Sequence, residues 1–516
     1  MSTPKAHKPS SFGIRSALPS DLPCLRNFVK DSFEELIQEH GEAIRGHITS
    51  AVQSILEKDY SSEERLLEIF SKREKLGGSV MFVAVDEKNQ PIGSCGGLQK
   101  NYFELELIRL YVLPEYRGSG VARALGEKLI RYAEEFKYER IVLTCGSKSG
   151  QRFYEKLNFF RVMNWKGRAI YYSKILDNVP RRKFDKVAII GGVHGNELIG
   201  VHLVESWKDP KNFAQEFQDI STFHILPIVA NVEACKKCVR YIDRDLNRCF
   251  ALSELCEESV PETLRNAQET KRALELNEIL GPKSELSSSF AIWKHQNPDL
   301  VDYLIDLHCT TSNMGICLIT LAGDQFSIRL AYELMNFCKL SSSTNIPFNL
   351  LVDSTLKRSV YNNIDSVTPS GICLEVGALA HGTLNNYELF DLTKRCVKTS
   401  LNFIEEFNKG LIQGVSKGEN VLVIGFELWK PVYFPKISTD KFHVSGVIHP
   451  SLIGKDFKVQ LKKNDPMFLN IITGEVLEFY QEEEPAYLCF IGEAAYFSSG
   501  IAFWLCKEQE FPVYGY

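Results

Sequence analysis

The run VAIIGGV at residues 187–193 constrains this chain more than any other stretch. It has the length of a strand, and apolar character at every position asks for cover on both faces. LIDLHCTT at 304–311 and GICLEVG at 371–377 repeat the pattern. Helical periods lie between these runs, and strands and helices alternate to about residue 409. That alternation predicts an α/β sheet. From about 410 onward short β-like runs such as NVLVIGFEL, FKVQL and PAYLCFI predominate, so a smaller, mostly β domain is expected there.

The apolar runs deliver polar residues of one chemistry. His194, Gly195, Asn196 and Glu197 follow the first, and His308 closes the second. One imidazole and one carboxylate in H-x-x-E, with a second imidazole from another strand end, make a ligand set for catalytic zinc that leaves a position open for water. Asp306 stands two residues earlier and can orient a ligand from behind. Singly, each histidine is more often a packed or surface residue; it is the joint pattern at two strand ends that points to metal. Glu375 lies inside an otherwise apolar strand, where an unpaired carboxylate is costly, so a partner or a task is expected for it. CVRYIDRDLNRCF gathers Arg240, Asp245, Asn247 and Arg248, and a guanidinium beside an amide is a clamp for a carboxylate.

HGNELIG, RYIDRDLNR, DLHCTTSNMG, LEVGALAHG, NDPMFL and GEAAYF resemble the aspartoacylase/succinylglutamate desuccinylase family, which belongs with zinc carboxypeptidase-like folds. The resemblance runs from about 185 to 510. It implies one zinc on His194, Glu197 and His308, and Glu375 as general base and later acid toward the leaving amine. It implies Arg240 as oxyanion stabiliser, Asn247 and Arg248 as holders of the α-carboxylate, and Tyr361 and Tyr496 as substrate contacts, the last from the β domain closing over the site. Two departures stand out. Aspartoacylase has an Arg ten residues before its catalytic Glu and a Lys four after the late Tyr, both serving the aspartate side chain. Here those places hold Asp365 and Gly500. Asp365 is therefore expected beside the substrate side chain, and N-acetylaspartate is not the expected substrate.

The N-terminal third reads as a second α/β unit. A helix with Leu25, Phe28, Val29, Phe33 and Leu36 on one face, capped by Ser20 or Asp21, precedes the hairpin SVMFVAV–DEKNQP–IGSCGGL. LIRLYVLPEYRGSGVA then runs from a strand through Arg117, Gly118, Ser119, Gly120, Val121 and Ala122 into a helix. Glycines and unpaired N–H groups at a helix start suit a pyrophosphate, although a tight turn would use the same residues. The segment resembles the acetyl-CoA signature of the GNAT-type N-acetyltransferases, with Arg117, Gly120 and Ala122 in its fixed places. SGQRFYEKLNF resembles that family's second motif. The resemblance implies acetyl-CoA held by the backbone of 117–122 and Tyr154 as acid to the departing thiolate. Glu106 is a candidate base, or simply an exposed strand carboxylate.

The expected organisation is a flexible tail at 1–12, a GNAT-like α/β domain at 13–176 and a linker at 177–184. A zinc-carboxypeptidase-like α/β catalytic domain at 185–409 and a β-rich domain at 410–516 that caps the active site follow. In the linker Arg181, Arg182 and Lys183 read as solvated charge. The whole is 516 residues, suiting several domains, with net charge −5, which argues against nucleic acid or an anionic membrane as partner. No apolar run is long enough to span a bilayer. The 14 cysteines are scattered through apolar contexts and read as reduced, cytoplasmic thiols, with Cys235 and Cys238 taken as packing. The chain is expected to be a zinc amidohydrolase of N-acyl, chiefly N-acetyl, amino acids, bifunctional with an acetyl-CoA-dependent acetyltransferase. A homodimer is compatible with it. The alternatives are an acetyl-CoA-sensing module on a deacylase, or a zinc carboxypeptidase.

Overall fold

The computed structural model describes residues 11–40, 42, 45–66, 69–70, 77–165, 169–176, 179, 182–256, 259–283, 289–340, 345–355, 358–412, 421–436, 444–479 and 485–513. The expected tail lies outside these residues as far as residue 10, as do Asn178, Pro180 and Arg181 of the expected linker. Two compact units form, Met1–Arg182 with Leu286–Pro298, and Lys183–Glu285 with Asp299–Tyr516. Among the described residues no helix is long and apolar enough to cross a membrane.

The first unit carries a seven-stranded sheet in the order β1-β2-β3-β4-β5-β7-β6. Its strands are β1 Gly13–Ser16, β2 Val80–Val85, β3 Pro91–Gln99, β4 Glu104–Val112, β5 Arg140–Cys145, β6 Phe160–Trp165 and β7 Ala169–Ile175. Only β4 and β5 run parallel. Strand alternation sorts β2 between two cores. Val80, Phe82 and Ala84 pack with the helix Val121–Glu135, and Met81, Val83 and Val85 pack with Leu25, Phe28 and Val29 of the helix Leu22–His40. Asp21 does not cap that helix as expected. It ends a 3-10 turn and its carboxylate accepts from Arg15 at 2.6 and 2.9 Å and from the Leu18 amide at 2.8 Å.

Two features of this unit differ from the sequence reading. Arg182 is not solvated: it is buried, its guanidinium lies 3.7 Å from the Phe103 ring centre, and it pairs with Glu139 at 3.0 Å. The helix Phe290–Gln296, expected in the catalytic domain, packs here instead. The Phe290 amide donates to Tyr102 O at 2.8 Å, and Phe290 and Trp293 set their rings 5.3 and 5.9 Å from those of Phe103 and Tyr102. Periodicity marks such a helix as amphipathic but does not name the surface that receives it.

The second unit is built on a ten-stranded sheet in the order β16-β19-β20-β14-β12-β11-β13-β10-β8-β9. Its first strands are β8 Lys186–Gly191, β9 His224–Val229, β10 Tyr303–Cys309, β11 Gly315–Leu321, β12 Phe348–Asp353 and β13 Ser370–Gly377. The C-terminal segment supplies β14 Val421–Tyr433, β15 Gly446–Ile448, β16 Gln460–Leu461, β17 Pro466–Asn470, β18 Val476–Glu478, β19 Ala486–Cys489 and β20 Ile501–Val513. β15, β17 and β18 form a separate three-stranded sheet. The smaller β domain is thus not hung on a linker, because β14 bonds directly to β12 and carries β20 on its far side. The helices Leu198–Trp207, Gln325–Leu340 and Tyr387–Asn408 contribute to the core on one face of the sheet, with Ile372, Leu374 and Val376 of β13. The alternate residues of β13, Cys373 and Glu375, line a cavity on the other face.

Burial of Trp293 is worth about 3–5 kcal/mol against alanine. Trp293→Ala is expected to lower the melting transition of the first unit by several degrees while the second unit's transition stays in place. Calorimetry of the whole chain, with separate spectroscopic probes for the two units, measures this.

Candidate active site

The centre of the second unit's cavity is a carboxylate. β8 ends in a tight loop in which Gly195 has no room for a side chain, since a Cβ there would meet the Ala234 backbone at 2.1 Å. That close approach, with the Gly195 amide donating to Arg240 O at 3.2 Å, holds His194 and Glu197 over the strand ends. β10 lies beside β8 and carries His308 next to its end, opposite Glu375 of β13. The ligand-type atoms of His194, Glu197 and His308 therefore fall within 4.8 Å of one another.

Hydrogen bonds orient the two imidazoles alike. His194 Nε2 lies 3.0 Å from Asp245 Oδ1, and His308 Nε2 lies 2.8 Å from Asp306 Oδ2. With those nitrogens donating to carboxylates, both Nδ1 lone pairs face Glu197, at 2.7 Å from Oε1 and 2.9 Å from Oε2. His194 Nδ1 is buried and, despite its closeness to Glu197, has no hydrogen-bond partner. An orphaned imidazole nitrogen, a second imidazole and a carboxylate aimed at one point fit a zinc ion. Burial works against the charged Glu197, but the two histidines outweigh it and hold its pKa well below the usual range. Asp245 is likewise held low, by His194 and Arg240 against burial.

The other expected residues surround this group. Arg240 is fixed by Asp245 at 2.9 Å and Glu197 at 3.2 Å. Glu375 faces the cavity, and burial, reinforced by Glu197 and Glu493 and opposed by His308, pushes it up to about 8. Asn247 is buried, with its Oδ1 accepting from the Ile364 amide at 3.0 Å. Arg248 is exposed, donates to Asn363 Oδ1 at 3.1 Å, and has no carboxylate partner among the described residues. Tyr361 and Tyr496 line the same cavity, whose empty space, mouth included, is about 700 Å³.

Asp365 departs from expectation. It is 4% exposed and does not line the cavity. The 3-10 turn Ile364–Ser366 folds it against the start of β13, where a Cβ on Gly371 would lie 3.5 Å from its own Cβ. Burial, and then Asp306, push its carboxyl up to about 7. At Gly500 a Cβ would lie 3.8 Å from Lys436 Nζ, but neither residue lines the cavity.

Three residues escaped the sequence reading. Glu493 accepts from the Thr311 amide at 2.8 Å and from both threonine hydroxyls after His308, docking the turn that carries Tyr496. Lys283 is buried and donates to Phe250 O, Tyr361 O and Ser366 Oγ at 2.7, 2.5 and 2.6 Å, tying the Arg248 and Tyr361 loops together. Burial pushes its ammonium down to about 6. Asp353 lines the cavity at the end of β12. GEAAYF already contained Glu493, whereas Lys283 and Asp353 reach the site through neighbours distant in sequence and left no local signal.

In the first unit Gly118 and Gly120 have φ of 76° and 93°, and Gly120 caps the helix Val121–Glu135. A Cβ at either would meet nothing within 4 Å, so the backbone conformation and not crowding requires glycine. Arg117, Gly118, Gly120, Val121 and Ala122 line a cleft of about 520 Å³. Ser119 turns away, its hydroxyl donating to Tyr116 O at 2.5 Å. The Arg117 side chain pairs with Glu35 at 2.7 Å, leaving the loop's backbone to face the cleft. Tyr154 packs on Phe153, Phe159 and Tyr172, and burial raises its hydroxyl well above the usual range. Glu106 pairs with Lys100 at 3.1 Å.

Asp306, His308 and Cys373 form a second grouping with metal-ligand atoms. His308→Ala is expected to abolish stoichiometric zinc in the purified protein by elemental analysis, and Cys373→Ser to leave it unchanged. Because His308 belongs to both groupings, loss of zinc in Cys373→Ser would place the ion at the second one instead.

Residues 183–404 match the succinylglutamate desuccinylase/aspartoacylase catalytic domain, and residues 429–508 match the AstE/AspA barrel-sandwich hybrid domain. Residues 49–159 match the GNAT acetyltransferase family. A probable aspartoacylase of Trichodesmium erythraeum is 34% identical over 334 residues, covering 64% of this chain and 100% of that protein. The human N-acyl-aromatic-L-amino acid amidohydrolase (carboxylate-forming) is 34% identical over 337 residues, covering 65% of this chain and 94% of its own length. The crystal structure of murine aminoacylase 3 superposes with a TM-score of 0.55 at 30% identity, covering 65% of this chain and 99% of that one. With the residues of its second unit gathered as described, this chain belongs to the succinylglutamate desuccinylase/aspartoacylase family, and it joins to that enzyme an N-terminal domain of the GNAT acetyltransferase family.

Proposed function

We propose that the second unit hydrolyses N-acyl amino acids, chiefly N-acetyl ones, with one zinc held by His194, Glu197 and His308. The observation that carries this reading is the pair of imidazoles whose Nε2 atoms face Asp245 and Asp306, with both Nδ1 atoms turned to Glu197. Zinc in such a site polarises a carbonyl and acidifies water to a pKa of about 7.

The chain's own residues supply the rest. Arg248, which has no carboxylate partner among the described residues, and Asn247 receive the α-carboxylate. Arg240, held rigid by two carboxylates, donates toward the oxygen on which negative charge develops. Glu375, buried and basic for a carboxylate, takes the proton of the attacking water and returns it to the departing amine. Tyr361 and Tyr496 wall the site, and the turn fixed by Glu493 keeps water out around the reacting bond. The acyl C–N bond breaks, an acyl C–O bond forms, and the products are a carboxylate and the free amino acid. N-acetylaspartate is not the expected substrate, because neither Asp365 nor Gly500 offers a cation to its side chain.

The first unit is read as an acetyl-CoA-dependent N-acetyltransferase. The open backbone of residues 117–122 supports a pyrophosphate site, and the Tyr154 hydroxyl, kept protonated by burial, suits an acid for the leaving thiolate. A second reading, acetyl-CoA sensing without turnover, is favoured by the ion pair that engages Glu106, the candidate base.

Two outcomes are expected. Glu375→Gln should lower hydrolysis of N-acetyl amino acids by roughly 10²–10⁴-fold while zinc content is unchanged. A variant that keeps near-normal turnover in an amine-release assay would leave Glu375 a structural residue. The whole chain should bind acetyl-CoA by isothermal titration, and Gly120→Glu should remove that heat without altering hydrolysis.

A further inference from the structure

The proposed reaction leaves one charged group of the cavity without a task. Asp353 is the last residue of β12 and is 8% exposed. Side chains alternate along a strand, so Asp353 shares a face with Leu351, which also lines the cavity. Strand register then lays out a continuous floor. Ile319 of β11 stands beside both Cys373 of β13 and Leu351 of β12. Phe426 of β14 stands beside Leu351, which brings Leu428 alongside Asp353. From Glu375 the cavity therefore crosses Cys373, Ile319 and Leu351, all apolar in character, and reaches a carboxylate.

That carboxylate is half satisfied. Oδ1 accepts from the Thr355 amide at 2.8 Å and from Thr355 Oγ1 at 2.6 Å. Oδ2 has no hydrogen-bond partner, and no Lys, Arg or His pairs with the group among the described residues. Holding the turn at Thr355 needs one oxygen only. Oδ2 is open to the cavity and free to accept from a ligand's donor. Asp353 lines the same cavity as Tyr361 and Arg248, the group assigned above to the α-carboxylate. The Tyr361 hydroxyl accepts from Asn363, which itself accepts from Arg248.

We propose that Asp353 is a specificity-determining residue of the amidohydrolase, taking N-acyl amino acids whose side chain has an apolar stem and a cationic end. The inference rests on the amidohydrolase reading above. The stem lies along Cys373, Ile319 and Leu351, and its terminal N–H groups meet Oδ2. An acidic side chain meets a like charge there, and a purely apolar one leaves the oxygen unpaired.

The test compares Nα-acetyl-L-lysine with N-acetyl-L-norleucine, which share a stem and differ in the ammonium, using the zinc-loaded whole chain. The wild type is expected to favour the lysine compound in kcat/KM by about tenfold or more. Asp353→Asn keeps an acceptor for Thr355 but loses the charge. It should collapse that preference, raising KM for the lysine compound and not lowering kcat/KM for the norleucine compound. Asp353→Glu should restore part of the preference, which a merely structural role would not produce. An unchanged ratio in Asp353→Asn, or a wild type that favours norleucine, overturns the inference alone. A zinc-loaded wild type that hydrolyses no N-acetyl amino acid overturns the amidohydrolase reading, and the inference with it.

Discussion

The second unit depends on keeping one carboxylate charged inside an α/β core. Glu197 is 3% exposed, and a lone ionised group at that depth would protonate or unfold its surroundings. Its oxygens instead meet two imidazoles, the Arg240 guanidinium and the Cys309 amide. The partners come from three places in the chain, residues 194, 240 and 308–309, and the sheet brings the last of these to the first. β8 and β10 lie side by side, β10 pairs His308 with Glu375, and the Gly195 turn presses the His194 loop onto the helix Val232–Lys237. Asp245 and Asp306 then do for the imidazoles what those imidazoles do for Glu197. The result is a buried polar network in which carboxylates alternate with the imidazoles and the guanidinium that orient on them.

Much of that nest could be read in one dimension, because strand ends in an α/β sheet point their last residues toward a common rim. VAIIGGV and LIDLHCTT name both their strands and the polar residues gathered at their ends. RGSGVA was legible for a related reason, since positive φ at a helix start demands glycine within a few residues. The illegible part is whatever depends on register or on the rotation of a turn. Asp365 stands ten residues before Glu375, and spacing alone puts it near the substrate, yet a short 3-10 turn sends it inward. Asp353 stands farther away in sequence, and the pairing of β12 with β11 brings its face to the cavity. Nothing local distinguishes the two aspartates.

The same limit hides how the elements join. The β-like runs after residue 410 were visible, but hydrophobic alternation does not say whether a strand joins its own sheet or extends another. β14 extends the catalytic one, so the cap is continuous with the floor of the site. Arg182 looked like one of three solvated charges until Phe103 and Glu139 came within reach.

The helix Phe290–Gln296 gives the first unit a surface element that arrives late. Synthesis runs from the N-terminus, and domains generally begin to fold as they leave the ribosome. The seven-stranded sheet is fully translated once β7 emerges, but Tyr102 and Phe103 have no cover from Phe290 and Trp293 until residue 296 follows. By then β8 and β9 of the second unit have already been made. The nascent chain must therefore carry an uncovered aromatic patch through a long stretch of elongation. A chaperone that shields such patches would find its natural moment between β7 and that helix.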